Sequence, residues 1–212
     1  MAQIETFEAH VRQYENWYEE HPGMYQSEVL AIKEQLQELP ENIRVIEVGL
    51  GTGRFAEALG IKEGVEPSPE MAKKAKKRGI EIIEGTAERL PYSALQFDFV
   101  LFVTICFLQN IKLALNEAHR VLKPNGAIII GFLDKDQNIA KEYMARRHKS
   151  NFYGKATFYS VSYIERLLKE AGFKDLKFNQ TLFNGEKEIK EIQLPKPSFG
   201  EGSFVTVKAI KR

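Results

Sequence analysis

Apolar side chains recur at helical spacing through the first forty residues. The two runs predict two amphipathic helices, which are separated at Pro22-Gly23, and Pro40 ends the second helix. The apolar stripes consist of Phe7, Val11, Tyr14, Trp17 and Tyr18 in the first helix, and of Val29, Ile32, Leu36 and Leu39 in the second.

From residue 44 onward the period changes repeatedly between that of a strand and that of a helix. Strands are predicted at 44–48, 61–66, 80–84, 97–103, 127–133, 174–183 and 203–210. Helices are predicted at 54–59, 68–78, 110–122 and 160–171. Strands that alternate with helices are typical of βαβ units around a parallel sheet.

Capping residues mark two of these helices. Ser68 and Pro69 begin the helix at 68–78 and Gly79 ends it. The helix at 160–171 begins at Ser160 or at Ser162, and the second choice would complete a capping box with Glu165. The connection at 184–202 is long, charged and proline-bearing, so we expect it to be either mobile or functional.

Composition narrows the class of protein. The chain has 212 residues, and its single cysteine excludes an internal disulfide. Its net charge of +1 argues against a general polyanion binder. The four histidines do not have zinc-finger spacing, so we expect no metal site. The most apolar run, Phe99 to Leu108, is half the length of a spanning helix. With no signal-peptide pattern at the start, we expect a cytoplasmic protein without a membrane partner.

Two features after the first two strands predict a nucleoside site. Glycines follow the first strand at Gly49, Gly51 and Gly53, where they allow a ligand to approach main-chain N–H groups. Glu66 ends the second strand, and its carboxylate can accept two hydrogen bonds from the hydroxyls of a ribose. A dinucleotide fingerprint would need glycine where Arg54 stands, so a nicotinamide oxidoreductase is disfavoured.

Six blocks that follow one another between Ile43 and Phe173 carry a more specific signal. They are Glu47-x-Gly49-x-Gly51-x-Gly53, Glu66, Glu84 to Pro91, Phe97-Asp98, Glu117 to Gly126, and Glu170 to Phe173. In these blocks the chain resembles the class I S-adenosylmethionine-dependent methyltransferases, of the small-molecule type that includes the ubiquinone/menaquinone-biosynthesis enzymes. The resemblance implies an α/β fold with a Rossmann-like, seven-stranded, mostly parallel sheet, helices on both faces and an antiparallel last strand.

The resemblance also implies how the chain is divided and what it binds. Residues 1–212 would form one methyltransferase domain, in which 1–40 are a helical lid over a core at 41–212. The cofactor would be S-adenosylmethionine. The residues implied in its binding are Glu47, Gly49, Leu50, Gly51, Gly53, Glu66, Pro67, Met71, Thr86, Ala87, Glu88 and Thr104.

Two residues depart from the family pattern. Thr86 stands where an acidic residue is usual, which leaves Glu88 as the alternative partner of the adenine amino group. Asn125 replaces a glycine, and Asn tolerates left-handed turns.

The chemistry of methyl transfer does not require a particular catalytic side chain. The acceptor atom needs to be held about 3–3.5 Å from the methyl carbon in line with its bond to sulfur, and a general base is optional. The candidates on the acceptor side are Tyr18, His21 and Tyr153, within two aromatic segments that also contain Tyr14, Trp17, Tyr25, Phe152, Phe158 and Tyr159. The same aromatic residues could simply pack the helices onto the sheet.

Three alternatives to small-molecule methylation stay open. The protein could bind the cofactor without turnover as a regulator, methylate a nucleic acid, or, with least support, be the oxidoreductase. Nucleic acid is disfavoured because the place of the base-methylase motif reads Thr104 to Phe107. The sequence does not indicate the acceptor, the methylated element (N, O or C) or the oligomeric state.

Overall fold

Helices and strands alternate in the computed structural model, which describes residues 2–37 and 42–212. Within these ranges the strands are β1 (Val45–Val48), β2 (Glu63–Glu66), β3 (Glu81–Glu84), β4 (Phe97–Val103), β5 (Leu122–Leu133), β6 (Phe173–Thr181), β7 (Lys196–Pro197) and β8 (Phe204–Lys211). The helices are α1 (Ala2–Ala9), α2 (Val11–Glu20), α3 (Pro22–Leu36), α4 (Arg54–Leu59), α5 (Pro69–Lys77), α6 (Ile111–Val121), α7 (Asn138–Ala145) and α8 (Val161–Glu170).

All eight strands form one sheet in the order β3-β2-β1-β4-β5-β8-β6-β7. Strands β1 to β5 run parallel, whereas β8 is antiparallel to both β5 and β6. The strand order reverses at β1, because the chain builds outward to β2 and β3 on one side and to β4 and β5 on the other. Ligands of open α/β sheets bind at such a point, beside the carboxyl ends of the strands.

The predicted fold class is confirmed, but the strand count of seven was wrong. The eighth strand, β7, is two residues long and pairs with Asn179 and Gln180 of β6. It was missed because a Lys-Pro pair shows no strand alternation, and proline is tolerated there only because the strand lies at the sheet edge.

The sheet is apolar on both faces, as its central strands require. In β4, Val100 and Phe102 belong to the core that α6 and α8 cover. Their neighbours Phe99 and Leu101 face the opposite core, which α3, α4 and α7 cover. Because both faces are covered, β4 is a continuous apolar run from Phe99 to Val103.

Several boundaries differ from the sequence prediction. Three helices stand where two were predicted at the N-terminus, because the chain also breaks at His10. Pro22 is the first residue of the following helix. An N–H at that position would have no partner within the helix, so proline is tolerated there. The predicted end of this helix at Leu39-Pro40 lies outside the described residues. Helix α7 was not predicted, although Ile139, Ala140 and Tyr143 give it a buried face.

The structure confirms one capping prediction and decides between the two alternatives of the other. Ser68 caps α5 through a hydrogen bond from the Met71 backbone N–H, as predicted. Helix α8 is capped by Ser160, so the alternative start at Ser162 was wrong. Asn125 adopts a left-handed conformation with a φ of 61°, within an irregular stretch of β5 that was predicted as a turn.

A buried polar cluster attaches α3 to the sheet. The Asn179 side-chain amide of β6 donates to Ala31 O at 2.9 Å, and its oxygen accepts a hydrogen bond from Thr206 on β8. Gln35 of α3 donates to the same Thr206 hydroxyl at 3.2 Å. Residues 184–202 pack on the same helix, since Gln193 N donates to Ser27 Oγ at 2.8 Å. These contacts fix the position of α3 and of the side chains that it carries.

We expect Asn179→Ala to lower the free energy of unfolding by about 2–3 kcal/mol, because the variant leaves buried polar groups without partners. Urea unfolding of the wild type and the variant measures the difference. Asn116→Ala is the matched control on an exposed position of α6 and should change stability by no more than about 0.5 kcal/mol. Equal losses in the two variants would contradict the role of the cluster.

Candidate active site

A cavity of about 130 Å³ lies at the carboxyl ends of β1, β2 and β4, beside the point where the strand order reverses. We call it the strand-end cavity. Nine of the residues predicted for the cofactor form part of its wall, namely Gly49, Gly51, Glu66, Pro67, Met71, Thr86, Ala87, Glu88 and Thr104. The topology therefore brings together residues that are spread over more than fifty positions of the sequence.

Glu66 is held at the end of β2 by main-chain groups. Its Oε2 accepts a hydrogen bond from Gly51 N at 2.8 Å and its Oε1 accepts one from Ser68 N at 2.9 Å. A carboxylate has about four lone-pair positions, so each oxygen can accept a further hydrogen bond from a ligand in the cavity. Burial raises the pKa of Glu66 to about 7, against the lowering effect of the two amides.

The loop after β1 turns through residues with positive φ and brings the main chain close to the N-terminal helices. Gly51 has a φ of 59°, and a Cβ at this position would lie 3.1 Å from the hydroxyl oxygen of Tyr14. Tyr14 and Phe7 also form part of the cavity wall. Helices α1 and α2 therefore cover the glycine loop directly.

Three of the predicted residues do not reach this cavity. Leu50 is buried in the core beneath the loop, beside Gly64 of β2. Gly53 serves close packing, because a Cβ there would lie 2.5 Å from the Ile80 side chain. Glu47 is 2% exposed; its carboxyl accepts a hydrogen bond from the Ala56 backbone, and its Oε2 has no hydrogen-bond partner among the described residues.

Glu88 is engaged at the start of α6. Its Oε1 accepts hydrogen bonds from Gln109 N at 2.8 Å and from Asn110 N at 3.1 Å. The other carboxylate oxygen, Oε2, accepts neither of these two hydrogen bonds. Thr86 lies two residues before it on the same wall. Thr86, which stands where the family has an acidic residue, and Glu88, the predicted alternative partner of the adenine amino group, therefore lie at one edge of the cavity.

A second cavity, of about 890 Å³, adjoins the first, and we call it the aromatic cavity. Phe7, Tyr14, Thr104, Ile105 and Phe107 belong to the walls of both cavities. The remaining aromatic residues of its wall are Trp17, Tyr18, Phe132, Tyr143, Phe152, Tyr153, Phe158, Tyr159 and Phe204. Its volume is in the range of sites that bind small molecules, about 300–1,000 Å³.

The structure separates the three catalytic candidates. Tyr18 and Tyr153 line the aromatic cavity. The hydroxyl of Tyr18 is hydrogen-bonded to that of Tyr14 at 2.7 Å, and burial raises the pKa of both phenols. His21 does not form part of the wall; its ring stacks on Trp17 with centroids 5.0 Å apart at the junction of α2 and α3.

A partly buried ion cluster ties α2 to the glycine loop, and the sequence reasoning missed it. Glu15 accepts hydrogen bonds from Thr52, from Arg54 at 3.0 Å and from Arg78 at 2.7 Å. These hydrogen bonds and the two guanidinium charges outweigh the effect of burial and lower the pKa of Glu15. In the sequence, Arg54 was interpreted only as the residue that replaces a glycine of the dinucleotide fingerprint. Its partner Glu15 lies in a distant helix, so the sequence did not indicate the ion pair.

Comparison with known proteins identifies the family. A family model described as "Methyltransferase domain" matches residues 46–130. An uncharacterized protein of Methanocaldococcus jannaschii is 41% identical over 209 residues, which cover 98% of this chain and 100% of that protein. A solved structure from Thermotoga maritima, described as a SAM-dependent methyltransferase and possible histamine N-methyltransferase, is 43% identical with a TM-score of 0.94, over 99% of this chain and 100% of that one. This chain belongs to the class I S-adenosylmethionine-dependent methyltransferases.

The predicted similarity to quinone-biosynthesis enzymes covers only part of this methyltransferase. The ubiquinone/menaquinone biosynthesis C-methyltransferase of Sinorhizobium fredii is 36% identical over 106 residues, which are 42% of this chain and 41% of that enzyme. Neither a cluster of metal-ligating side chains nor a helix long and apolar enough to cross a bilayer occurs in the part of the chain that the structure describes.

The residues of the strand-end cavity fit S-adenosylmethionine. This cofactor supplies a methyl group that is activated by bonding to a positively charged sulfur. Glu66, whose carboxylate is oriented by Gly51 N and Ser68 N, would accept hydrogen bonds from a pair of ribose hydroxyls. Outside the cavity wall, Glu47 Oε2 is a buried acceptor without a hydrogen-bond partner among the described residues.

We expect Glu66→Gln to weaken the binding of S-adenosylmethionine by about 10- to 100-fold, the cost of losing hydrogen bonds to a charged acceptor. Isothermal titration measures the affinity. Glu84→Gln changes the exposed glutamate at the end of the neighbouring strand β3 and should leave the affinity unchanged. An unaltered affinity in Glu66→Gln would remove this residue from the site.

The affinity of the wild type should also depend on pH. The pKa of Glu66 is about 7 in the free protein, and ribose hydroxyls donate to the ionised form. Below that pH a proton has to leave before the ligand binds, so the affinity should fall by up to about tenfold per pH unit and should level off above it. Titrations from pH 5.5 to about 8.5 test this, and Glu66→Gln should lose the Glu66 part of the slope.

Proposed function

We propose that this methyltransferase transfers the methyl group of S-adenosylmethionine to a small molecule held in the aromatic cavity. The observation that carries the proposal is the shared wall, because Thr104, Ile105 and Phe107 border both cavities. A cofactor in the strand-end cavity and an acceptor in the aromatic cavity would therefore meet at these residues. In-line displacement needs the acceptor atom about 3–3.5 Å from the methyl carbon, and such positioning supplies most of the catalysis.

We further propose that α1 and α2 act as a lid within a single domain. The strand-end cavity of about 130 Å³ is too small for a nucleoside with an amino-acid chain, since sites for such ligands measure about 300–1,000 Å³. Tyr14 lies over Gly51, and Phe7 forms part of the same cavity wall. Cofactor entry would therefore displace these side chains, and closure over both ligands would exclude water from the reacting atoms.

The test is transfer of a labelled methyl group from S-adenosylmethionine. The acceptor panel contains amines, phenols, carboxylic acids, transfer RNA and duplex DNA; amines are included because the Thermotoga maritima neighbour is described as a possible histamine N-methyltransferase. We expect label in at least one small molecule, with S-adenosylhomocysteine as the second product. Cofactor binding without label in any acceptor would favour a regulatory protein. Label only in transfer RNA or DNA would favour a nucleic-acid methyltransferase.

The ion cluster of Glu15 predicts how the lid is held. Glu15→Gln removes the charge that pairs with Arg54 and Arg78, so we expect faster hydrogen exchange at the amides of residues 11–20. Turnover should fall at least about tenfold, because an opened lid no longer shapes the acceptor site.

Glu19→Gln is the control for this experiment. Glu19 also pairs with Arg54, at 3.4 Å, but its side chain is 70% exposed. Exposed pairs contribute little, about 0–1 kcal/mol, so exchange and turnover should stay near the wild-type values. Equal behaviour of the two variants would show that the cluster does not hold the lid.

A further inference from the structure

Glu28 is a buried carboxyl group in the wall of the aromatic cavity. It lies on α3, is 7% exposed, and faces the cavity together with Met24 one turn earlier. Burial alone shifts the pKa of this carboxyl, and no hydrogen bond or opposite charge from the described residues acts on it. A buried carboxyl without a partner is costly, and proteins retain such groups mainly where they bind something.

Three tyrosines share the wall of the aromatic cavity with this carboxyl. The charge of Glu28 acts on the phenols of Tyr18, Tyr143 and Tyr153, which come from α2, α7 and the turn at 153–155. The rings of Tyr143 and Tyr153 stack with centroids 4.4 Å apart, and Tyr153 also stacks on Phe107 at 5.8 Å. The region around Glu28 thus combines a carboxyl, phenolic oxygens and aromatic faces, which are the groups that bind organic cations.

The other charges of the cavity leave this position acidic. Glu186 is already occupied, because it accepts a hydrogen bond from the Tyr143 hydroxyl and pairs with Arg146 at 2.9 Å. Arg12, Glu20 and Lys149 belong to the wall but are exposed to solvent, which screens their charge. A ligand that reaches the interior therefore encounters Glu28 as the group without a counter-charge.

We propose that the small molecule bound in the aromatic cavity is an amine, and that its ammonium group pairs with Glu28 against the faces of the tyrosines in the cavity wall. The inference rests on the proposed function, since it names the substrate class of that site. It assigns Glu28 to recognition and does not depend on which atom receives the methyl group. Burial raises the pKa of Glu28 to about 8, and an ammonium at hydrogen-bond distance would restore the ionised form.

The experiment measures binding to the methyltransferase saturated with S-adenosylhomocysteine, so it does not require turnover. The probes are benzylamine, 2-phenylethylamine and tryptamine, each compared with its neutral alcohol and with the corresponding carboxylate. We expect at least one amine to bind at least about tenfold more tightly than both of its analogues. Hydrogen bonds to charged groups are worth about 1.5–3 kcal/mol, which corresponds to roughly 10- to 150-fold in affinity.

The variant Glu28→Gln keeps the size of the side chain and removes its charge. We expect the preference for the amine over its alcohol to fall at least about tenfold, while the affinity for S-adenosylhomocysteine and the thermal midpoint are maintained or the midpoint rises. A purely structural role would alter the midpoint but not this ratio. Lys33→Gln removes a charge at an exposed position on the same helix and should leave the ratio unchanged.

Tighter binding of the alcohols or carboxylates, no binding of any amine, or an unchanged ratio in Glu28→Gln would each overturn the inference. These outcomes are distinct from failure of the proposed function. Methyl transfer to a phenol or an acid would retain the function and exclude the amine. Absence of transfer to every acceptor, together with amine binding that depends on Glu28, would retain the recognition site and exclude catalysis.

Discussion

The hydrogen bond between the Glu66 carboxylate and the Gly51 amide joins the two parts on which the site depends. Glu66 ends β2, and Gly51 lies in the loop that follows β1, where the strand order reverses. The donor is a residue with a φ of 59°, which glycine adopts without strain, and the acceptor is a carboxylate that Ser68 N also holds. Once it forms, the position of the loop relative to the sheet is set, and the walls contributed by β4 and α5 follow from strand pairing.

Around this bond the protein retains several buried acids at a cost in stability. Burial raises the pKa of Glu28 and of Glu47 to about 8 and that of Glu66 to about 7. Each pKa lies above its value in the unfolded chain, so these groups favour folding least once the pH has risen through that range. Apolar or amide replacements would fold more readily. The arrangement is therefore better explained by ligands than by packing.

Much of the fold was readable from the sequence because its signals are local. The apolar run of β4, the Ser68 cap and the left-handed Asn125 are each determined by a few neighbouring residues. The missed features depend on distant partners. Strand β7 exists only because β6 offers an edge, and Glu15 becomes a partly buried ion-pair partner only when α2 meets Arg54 and Arg78.

The same distinction applies to the site. Residues at strand ends, such as Glu66 and Thr104, could be placed because topology sends the ends of parallel strands to one edge. Leu50 and Gly53 belong to the same loop, yet they face the core, since neighbouring positions in a tight turn point in different directions. Glu28 carries no motif at all; its role emerges only from what surrounds it.

Tyr14 gives the two cavities a common element. Its side chain forms part of both walls, lies over Gly51 and shares a hydrogen bond with Tyr18. A ligand that shifts this ring on entering one cavity also changes the shape of the other. Thermodynamic linkage makes any such coupling reciprocal, so that occupancy of either cavity alters affinity at the other by the same factor. A single phenol can thereby couple the affinities of two chemically unrelated molecules.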